Sequence, residues 1–550
     1  MIKLAFTTNI KKCPLCGNKL RFYRSYRRTV KSLEGEFIAV HRLKVCKNDG
    51  IIYKSDKLED IVRYKCTYAN DILLNAAKDR FLYGRPCSEI SSYTGISESH
   101  AGKASNNIID AFRVNHYKNI DKIKEFMESY ILQIDGTADS EYNIIIAVKD
   151  AITGFIIDVQ HIFSESYDNI KNVLINIKER FGMPSGSISD MRSGILEALK
   201  NAFPGMPVRI CLMHFLRDLG KDLMETLHIE LGIAINRIGI KSPLKAILRE
   251  MPEYNQKTLY DIENGYCNNI TNMEIMGIRH MLEKLLRINS SGYGFPFTLK
   301  HLNFYNACRE AENRLLELYA NVRLEESIDY INRIMNLLQK ITVNGKIKEN
   351  ADKLSNINAI FNKLRRAFNV PDYGKLSEDL KDDIISHKQC NNIIDELEVY
   401  THANIPEYLM RAIKLVISRY RNRETMLFAN NKDGTIPRTN NGMEQFFRKL
   451  RRNIRKRCGN IATGNMLANN GISLAIFQNI ENKDYVKAVF GNNDIASVLA
   501  KHIKPYRNPG MTHKKIIQLV EKGTDMIINS KINNNPYTDK LFQSIKSAGA

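Results

Sequence analysis

Between residues 129 and 215 the chain abandons helical periodicity for short apolar runs. Tyr130-Ile-Leu-Gln-Ile-Asp135 comes first, followed by Asn143-Ile-Ile-Ile-Ala-Val148 and Gly154-Phe-Ile-Ile-Asp-Val-Gln-His-Ile162. Runs of this length, rich in Ile and Val and joined by connections as short as Lys149-Asp-Ala-Ile-Thr153, predict three strands. An amphipathic helix over Tyr167 to Phe181 follows. Then come a strand Ser187-Ile-Ser-Asp190, a helix from Ser193 to Phe203 and a strand Pro207-Val-Arg-Ile-Cys211. The order is β-β-β-α-β-α-β, and its first and fourth strands each close on an acid, Asp135 and Asp190. A mixed sheet of this order sets those two strand ends side by side, at the edge where α/β sites form.

That order is the order of an RNase H-like core. The rest of the chain divides around it by texture, and the predicted class is a multidomain α+β fold. Residues 1–66 hold four of the ten cysteines and β-like runs such as Glu36-Phe-Ile-Ala-Val-His-Arg-Leu-Lys-Val45, predicting a zinc ribbon-like module. Residues 67–128 read as three short helices: Tyr68 to Tyr83 closed by Gly84, Cys87 to Tyr93 closed by Gly95, and Ser97 to about Phe112. A short helix, a glycine turn and a second helix predict a helix-turn-helix. Residues 129–215 are the first part of the core, and 216–430 a long all-helical insertion. Residues 431–480 return to the core with a basic helix, and 481–550 form a C-terminal helical region.

Paired carboxylates at strand ends repel unless a cation lies between them. Hard oxygen donors of this kind select Mg²⁺ or Mn²⁺ and can hold two such ions for phosphoryl chemistry. Glu444 is the candidate third member, the only acid between Asp433 and Glu481. It precedes a run in which residues 448–457 carry seven Lys or Arg. Helical spacing puts Arg448, Arg451, Arg452 and Arg455 on one face, flanked by Lys449, Lys456 and Arg457. Phe446, Phe447, Leu450 and Ile454 supply the buried side. Cations so crowded call for phosphates, and the formal net charge of +21 also points to a polyanionic partner. Asn441 and Glu444 also have the spacing of a capping box.

Cys13-Pro-Leu-Cys-Gly17 is a zinc-knuckle sequence. Zn²⁺ is the expected ion, with Cys13, Cys16 and Cys46 as ligands and the fourth open among Asp49, His41 and Cys66. Asp49 has the right offset in Cys46-Lys-Asn-Asp49. In the helix-turn-helix, Ser99, His100, Lys103 and Asn106 are candidate contacts in the major groove. Cysteines elsewhere stand alone, as reduced thiols do. The N-terminus has no signal-peptide apolar run and no segment is apolar enough to span a membrane, so a cytoplasmic, nucleoid-associated protein of a prokaryotic source is expected.

Three stretches together resemble a known family. They are Gln133-Ile-Asp-Gly-Thr137; Ser189-Asp-Met-Arg-Ser-Gly-Ile-Leu-Glu-Ala-Leu-Lys-Asn-Ala-Phe-Pro204, running on to Cys211-Leu-Met-His214; and Thr439-Asn-Asn-Gly-Met-Glu444. Their order and spacing are similar to those of DDE-type DNA transposases of the Mutator-like group and its prokaryotic insertion-sequence relatives. The resemblance implies Asp135, Asp190 and Glu444 as the catalytic, metal-holding triad, and cleavage at transposon ends followed by attack of a 3′-hydroxyl on target DNA. It implies double-stranded DNA, both ends and target, as partner, and a homodimer or higher oligomer on that DNA. His214 either contacts DNA, braces the site, or merely starts a helix after a buried Cys211. The rival readings are a domesticated descendant that binds DNA without cutting, another RNase H-like nuclease, and a zinc-containing transcription regulator.

Overall fold

A computed structural model of the chain describes residues 2–63, 66–139, 143–265, 270–288, 294–371, 380–459, 463–503 and 518–525. It is an α+β structure with two mixed sheets. The first sheet is N-terminal. Strand β1 (Ile2–Thr7) lies parallel to β3 (Gly35–Val45). Strand β2 (Arg21–Ser32) lies antiparallel to β3 on its other side, and β4 (Ile52–Tyr53) pairs with the end of β3. The β2–β3 hairpin is held at both ends. At its tip the Leu33 amide donates to Asp71 Oδ2 at 3.0 Å. At its base, Arg21 and Val45 pair beside the cysteines Cys16 and Cys46.

The helices Asn70–Phe81, Cys87–Thr94 and Glu98–Lys118 follow as the sequence predicts, the third running a turn and a half beyond Phe112. Gly95 stops the second at φ +68°, and Ser97 caps the third by accepting from the His100 amide. The extra length of the third helix carries Phe112 and His116 into a buried aromatic cluster with Phe477 and Tyr485. An unforeseen short helix, Ile120–Met127, leads into the core.

The second sheet has the order β7-β6-β5-β8-β9, with β5 (Ile131–Asp139), β6 (Asn143–Asp150), β7 (Ile156–Ile162), β8 (Gly186–Ser189) and β9 (Val208–Ile210). β5–β6 and β6–β7 are antiparallel; β5–β8 and β8–β9 are parallel. β5 is central because its apolar positions are covered from both sides; Leu132 and Ile134 are fully buried. One face carries helix Gly464–Phe477 so closely that a Cβ on Gly471 would lie 2.1 Å from Ile145 Cδ1. Only glycine lets the backbone approach that far.

After β9 the described residues from Leu212 to Leu427 form a helical stretch without a strand, its first helix opening at Leu212. Its two ends meet. The Leu212 amide donates to the Arg438 carbonyl at 3.0 Å, and the Asn440 amide to Cys211 Sγ at 3.3 Å. Beside this neck lies a buried ion group. Arg209 donates to Asp383 Oδ1 at 2.6 Å and to the Ile436 carbonyl at 3.0 Å, while Arg438 Nε stands 3.3 Å from the same carboxylate. Two guanidiniums share one buried carboxylate, and the Ile436 and Phe368 carbonyls take some of their donors while Arg209 Nε stays buried without a partner among the described residues. Of the expected C-terminal helical region, helices Lys483–Phe490 and Ile495–Ala500 and residues 518–525 are described; its other residues past 503 lie outside the described ones.

Candidate active site and metal cluster

The strand register brings the two aspartates together. Along β5 and β8, Ile131 faces Gly186 and Gln133 faces Ile188; the same offset, carried two residues past the last paired position, brings Asp135 level with Asp190, whose charge acts on it. Neighbouring strands lie about 4.8 Å apart, so the two side chains leave the sheet side by side. Asp135 Oδ1 accepts from the Gly136 amide at 2.8 Å. Burial, reinforced by the charges of Asp190 and Glu444, pushes the Asp135 carboxyl up to about 7; Arg192 and the Gly136 amide oppose the shift. Burial also raises Asp190, with Asp218 adding to it and the Arg192 amide and His214 opposing.

Glu444 arrives on helix Asn441–Cys458, 254 residues after Asp190 in sequence. Helix start and β5 are joined by Asn440, whose Nδ2 donates to the Ile134 carbonyl at 3.3 Å, one residue before Asp135. Asn440, not Asn441, is the N-cap residue, so the expected capping box does not form. The side chain that would have capped the helix is spent on the strand. Glu444 Oε1 instead lies 3.3 Å from His214 Nε2 and 3.8 Å from Arg217 Nη1. His214 therefore sits against the third acid, on the first turn of helix Leu212–Ile238, directly after the buried Cys211.

Four residues of this neighbourhood escaped the sequence reading. Arg192 Nε lies 3.1 Å from Asp190 Oδ2, and the same guanidinium pairs with Glu165. Asp218 follows His214 by one helical turn, and Arg217 precedes Asp218. Spacing could have signalled Arg192, two residues after the second acid, and Asp218, at i+4 from His214. Nothing in the sequence marks Glu165, which reaches the site from the loop after β7.

The N-terminal cysteines form a second centre. Cys13-Pro-Leu-Cys-Gly17 and Cys46-Lys-Asn-Asp-Gly50 are two turns of one design. Each glycine amide donates to the carbonyl of the first cysteine at 2.9 Å, and each glycine has positive φ, +72° and +65°. Asp49 thus stands where a fourth cysteine would. Its Oδ2 accepts from Cys13 at 3.0 Å and Cys46 at 3.2 Å, and Cys16 Sγ lies 3.4 Å from Cys46 Sγ. The Tyr53 hydroxyl, 3.1 Å from Cys13, lowers that thiol, while Asp49 pushes Cys16 up to about 12. Among the described residues this is the only group of three or more His, Cys, Asp or Glu side chains whose donor atoms all lie within 4.8 Å of one another. Three thiols and a carboxylate at this spacing are compatible with zinc. The alternatives His41 and Cys66 lie elsewhere: His41 Nε2 accepts from the Ser55 amide, and Cys66 packs beside Val30 and Leu58. Asp135, Asp190 and Glu444 do not form such a closed set.

The basic helix buries Phe447, Leu450 and Ile454 as predicted, leaves the expected Phe446 half-buried and buries Met443 instead, and exposes Arg448, Arg452, Arg455 and Lys456. Three cations of the predicted outer surface are engaged within the chain, Lys449 while remaining at the surface. Arg451 donates to Thr137 on β5, Lys449 pairs with Glu481, and Arg457 lies over the Phe81 ring at 4.8 Å. Burial and the charge of Arg80 lower Arg457 to about 10. The helix also grips the end of helix Asn70–Phe81: Asn453 Nδ2 donates to the Leu82 carbonyl at 2.7 Å. Gly84, at φ +69°, leaves only 2.9 Å between a Cβ there and the Asn453 carbonyl. On the third helix Ser99, His100 and Lys103 are exposed, but Asn106 Oδ1 accepts from Arg80 at 3.1 Å. No helix of the described residues is long and apolar enough to cross a membrane. No protein-family model matches the chain, and no curated protein matches it.

Proposed function

We propose that the chain is a DDE-type DNA transposase with an RNase H-like core split by the helical insertion. The carrying observation is the convergence on β5: Asp190 in register with Asp135, and the helix bearing Glu444 tied to Ile134. The mixed strand order supports the same reading, although β5 runs four residues past Asp135 to Asp139 instead of closing on it as expected, while Asp190 directly follows β8. Asp135, Asp190 and Glu444 would hold Mg²⁺ or Mn²⁺, which when bound activates the attacking oxygen and stabilises the leaving one. The fit rests on two carboxyls raised mainly by burial, Asp135 also by the charges of Asp190 and Glu444 and Asp190 by that of Asp218. His214 and Arg217 position Glu444, and Arg192 holds Asp190 oriented. Arg448, Arg452, Arg455 and Lys456 present an open cationic surface on the same helix to DNA phosphates. The zinc-compatible cluster is read as a zinc ribbon, and with the helix-turn-helix it recognises transposon ends. A homo-oligomer on DNA and a cytoplasmic, nucleoid-associated setting follow from that role.

A DNA-binding descendant that no longer cuts is the second reading, favoured by the Arg192 guanidinium already seated on Asp190. One experiment separates them. Asp190→Asn keeps shape and removes a charge that Mg²⁺ requires. The parent should nick a labelled end fragment with Mg²⁺ or Mn²⁺, and the variant should bind it equally but nick orders of magnitude more slowly. Equal nicking refutes the metal-site assignment; no nicking by either protein selects the descendant.

A further inference from the structure

Strand β2 opens with Arg21-Phe-Tyr-Arg-Ser-Tyr-Arg-Arg28: four arginines, three aromatics and no acid. A strand that packed a core would bury alternate residues, yet Phe22, Tyr23 and Tyr26 are 64%, 45% and 47% exposed. The pairing with β3 shows how this surface is arranged. Arg21 faces Val45, Arg24 faces Leu43 and Tyr26 faces His41, with Tyr23 skipped in a bulge. Val45, Leu43 and His41 alternate along β3, so they share a face. The bulge therefore shifts Arg21 onto the same face as Arg24 and Tyr26, a re-aiming that bulges commonly perform.

That face is concave. Lys54, Leu58 and Glu59, the last paired with Lys54, come over it from beyond β4 and close a cleft of about 460 Å³, within the range of roughly 300–1,000 Å³ typical of small-molecule sites. Leu43 and Leu58 give it an apolar floor. Tyr26 forms a flat wall, with the Arg24 guanidinium 4.6 Å from its ring centroid. Arg28 is committed to structure, donating to the Arg63 and Cys66 carbonyls at 3.0 and 3.1 Å. Among the described residues no carboxylate pairs with Arg21 or Arg24.

A flat aromatic wall, a stacked guanidinium and an unpaired cation along one strand are what a nucleobase and its phosphate need. A duplex keeps its base faces inside its own stack and cannot present one to Tyr26. We propose that this cleft holds an unpaired nucleotide of a DNA strand, its base stacked on Tyr26 and Arg24 and its phosphate directed along the same strand face toward Arg21, outside the cleft. Naming DNA rests on the transposase reading; the cleft's chemistry does not.

The test uses the full chain with a short fluorescent single-stranded oligodeoxynucleotide and the matching blunt duplex. Both are titrated at low salt and at a salt concentration that suppresses phosphate contacts. Tyr26→Ala should weaken single-strand binding about ten- to hundredfold while leaving duplex binding within about twofold. Tyr26→Phe should restore it. An oligonucleotide carrying 5-iododeoxyuridine should photo-crosslink to the peptide containing Tyr26. Unchanged single-strand affinity in Tyr26→Ala, equal weakening for the duplex, or crosslinks confined to the basic helix would overturn the assignment. A protein that nicks but shows no Tyr26 effect loses this cleft and keeps the transposase reading. One that holds single strands through Tyr26 but never nicks does the reverse.

Discussion

Replacing Asp135 by Asn should make the protein more stable in the absence of Mg²⁺ or Mn²⁺. The carboxyl rises from an ordinary 3.8 to about 7, first by burial and then by the charges of Asp190 and Glu444. A carboxyl raised on folding holds its proton more tightly in the folded state. Above pH 7 the folded state must carry a charge it disfavours; as pH falls toward 3.8 that deficit disappears. At about 1.4 kcal/mol per pH unit, the deficit at pH 8 reaches at most about 4 kcal/mol, shrinking to about 2 at pH 5 and to nearly nothing at pH 3. Asn cannot ionise, so the variant should gain that much at each pH. Denaturant unfolding of both proteins across this pH range measures the gain. Mg²⁺ should be omitted rather than chelated, since a chelator would also strip a zinc site. Adding Mg²⁺ should then stabilise the parent and leave the variant unmoved. Equal stability at pH 8, or equal stabilisation by Mg²⁺, would refute the claim that Asp135 is a desolvated acid waiting for a cation.

Glutamine at Arg448, Arg452 and Arg455 should flatten the log-affinity against log-salt slope for duplex DNA by about 0.9 for each phosphate no longer neutralised. Arg451, already tied to Thr137, should change the slope less; a larger effect there would mean the helix turns on binding. Metal analysis of purified chains should find one zinc in the parent, retention in His41→Ala and Cys66→Ala, and loss in Asp49→Ala, with Asp49→Cys restoring it. Zinc retained by Asp49→Ala would remove Asp49 from the ligand set. Asp383→Ala leaves Arg209 and Arg438 buried without their carboxylate and should cost about 3–5 kcal/mol in a thermal or denaturant melt. A loss under about 1 kcal/mol would mean the neighbouring carbonyls suffice.

The acid pair was legible because strand pairing converts a sequence distance into a spatial one: the 55 residues from Asp135 to Asp190 are the register offset of β5 on β8. The equal offsets of Asp49 from Cys46 and Cys16 from Cys13 were legible for a similar reason. A local turn repeats its own geometry. What stayed hidden depends on contacts between distant segments. Helical spacing placed Arg451 with its neighbours on an outer face, but Thr137 on β5 draws it in. Asn441 had the spacing of a cap, but Ile134 recruits Asn440 and shifts the helix start. The surface of β2 was overlooked because the usual signal of a half-buried strand, apolar residues at alternate positions, is absent from it. Arginines stand where a core face would put isoleucines.

The neck at Leu212 and Arg438 makes the helical excursion part of how the third acid is delivered. From Cys211 the chain leaves the core and comes back within one hydrogen bond of its exit. Holding the ends of a flexible loop of more than 200 residues together would cost roughly 5 kcal/mol of chain entropy. A folded excursion meets that cost inside its own helix packing and presents its ends already adjacent. The position of Glu444 is then insured by residues far from any chemistry. A ribosome that has released only the first 400 residues has exposed Asp135 and Asp190 without their third partner. On this architecture the three acids come together only after residue 444 has been made and the long excursion has folded shut.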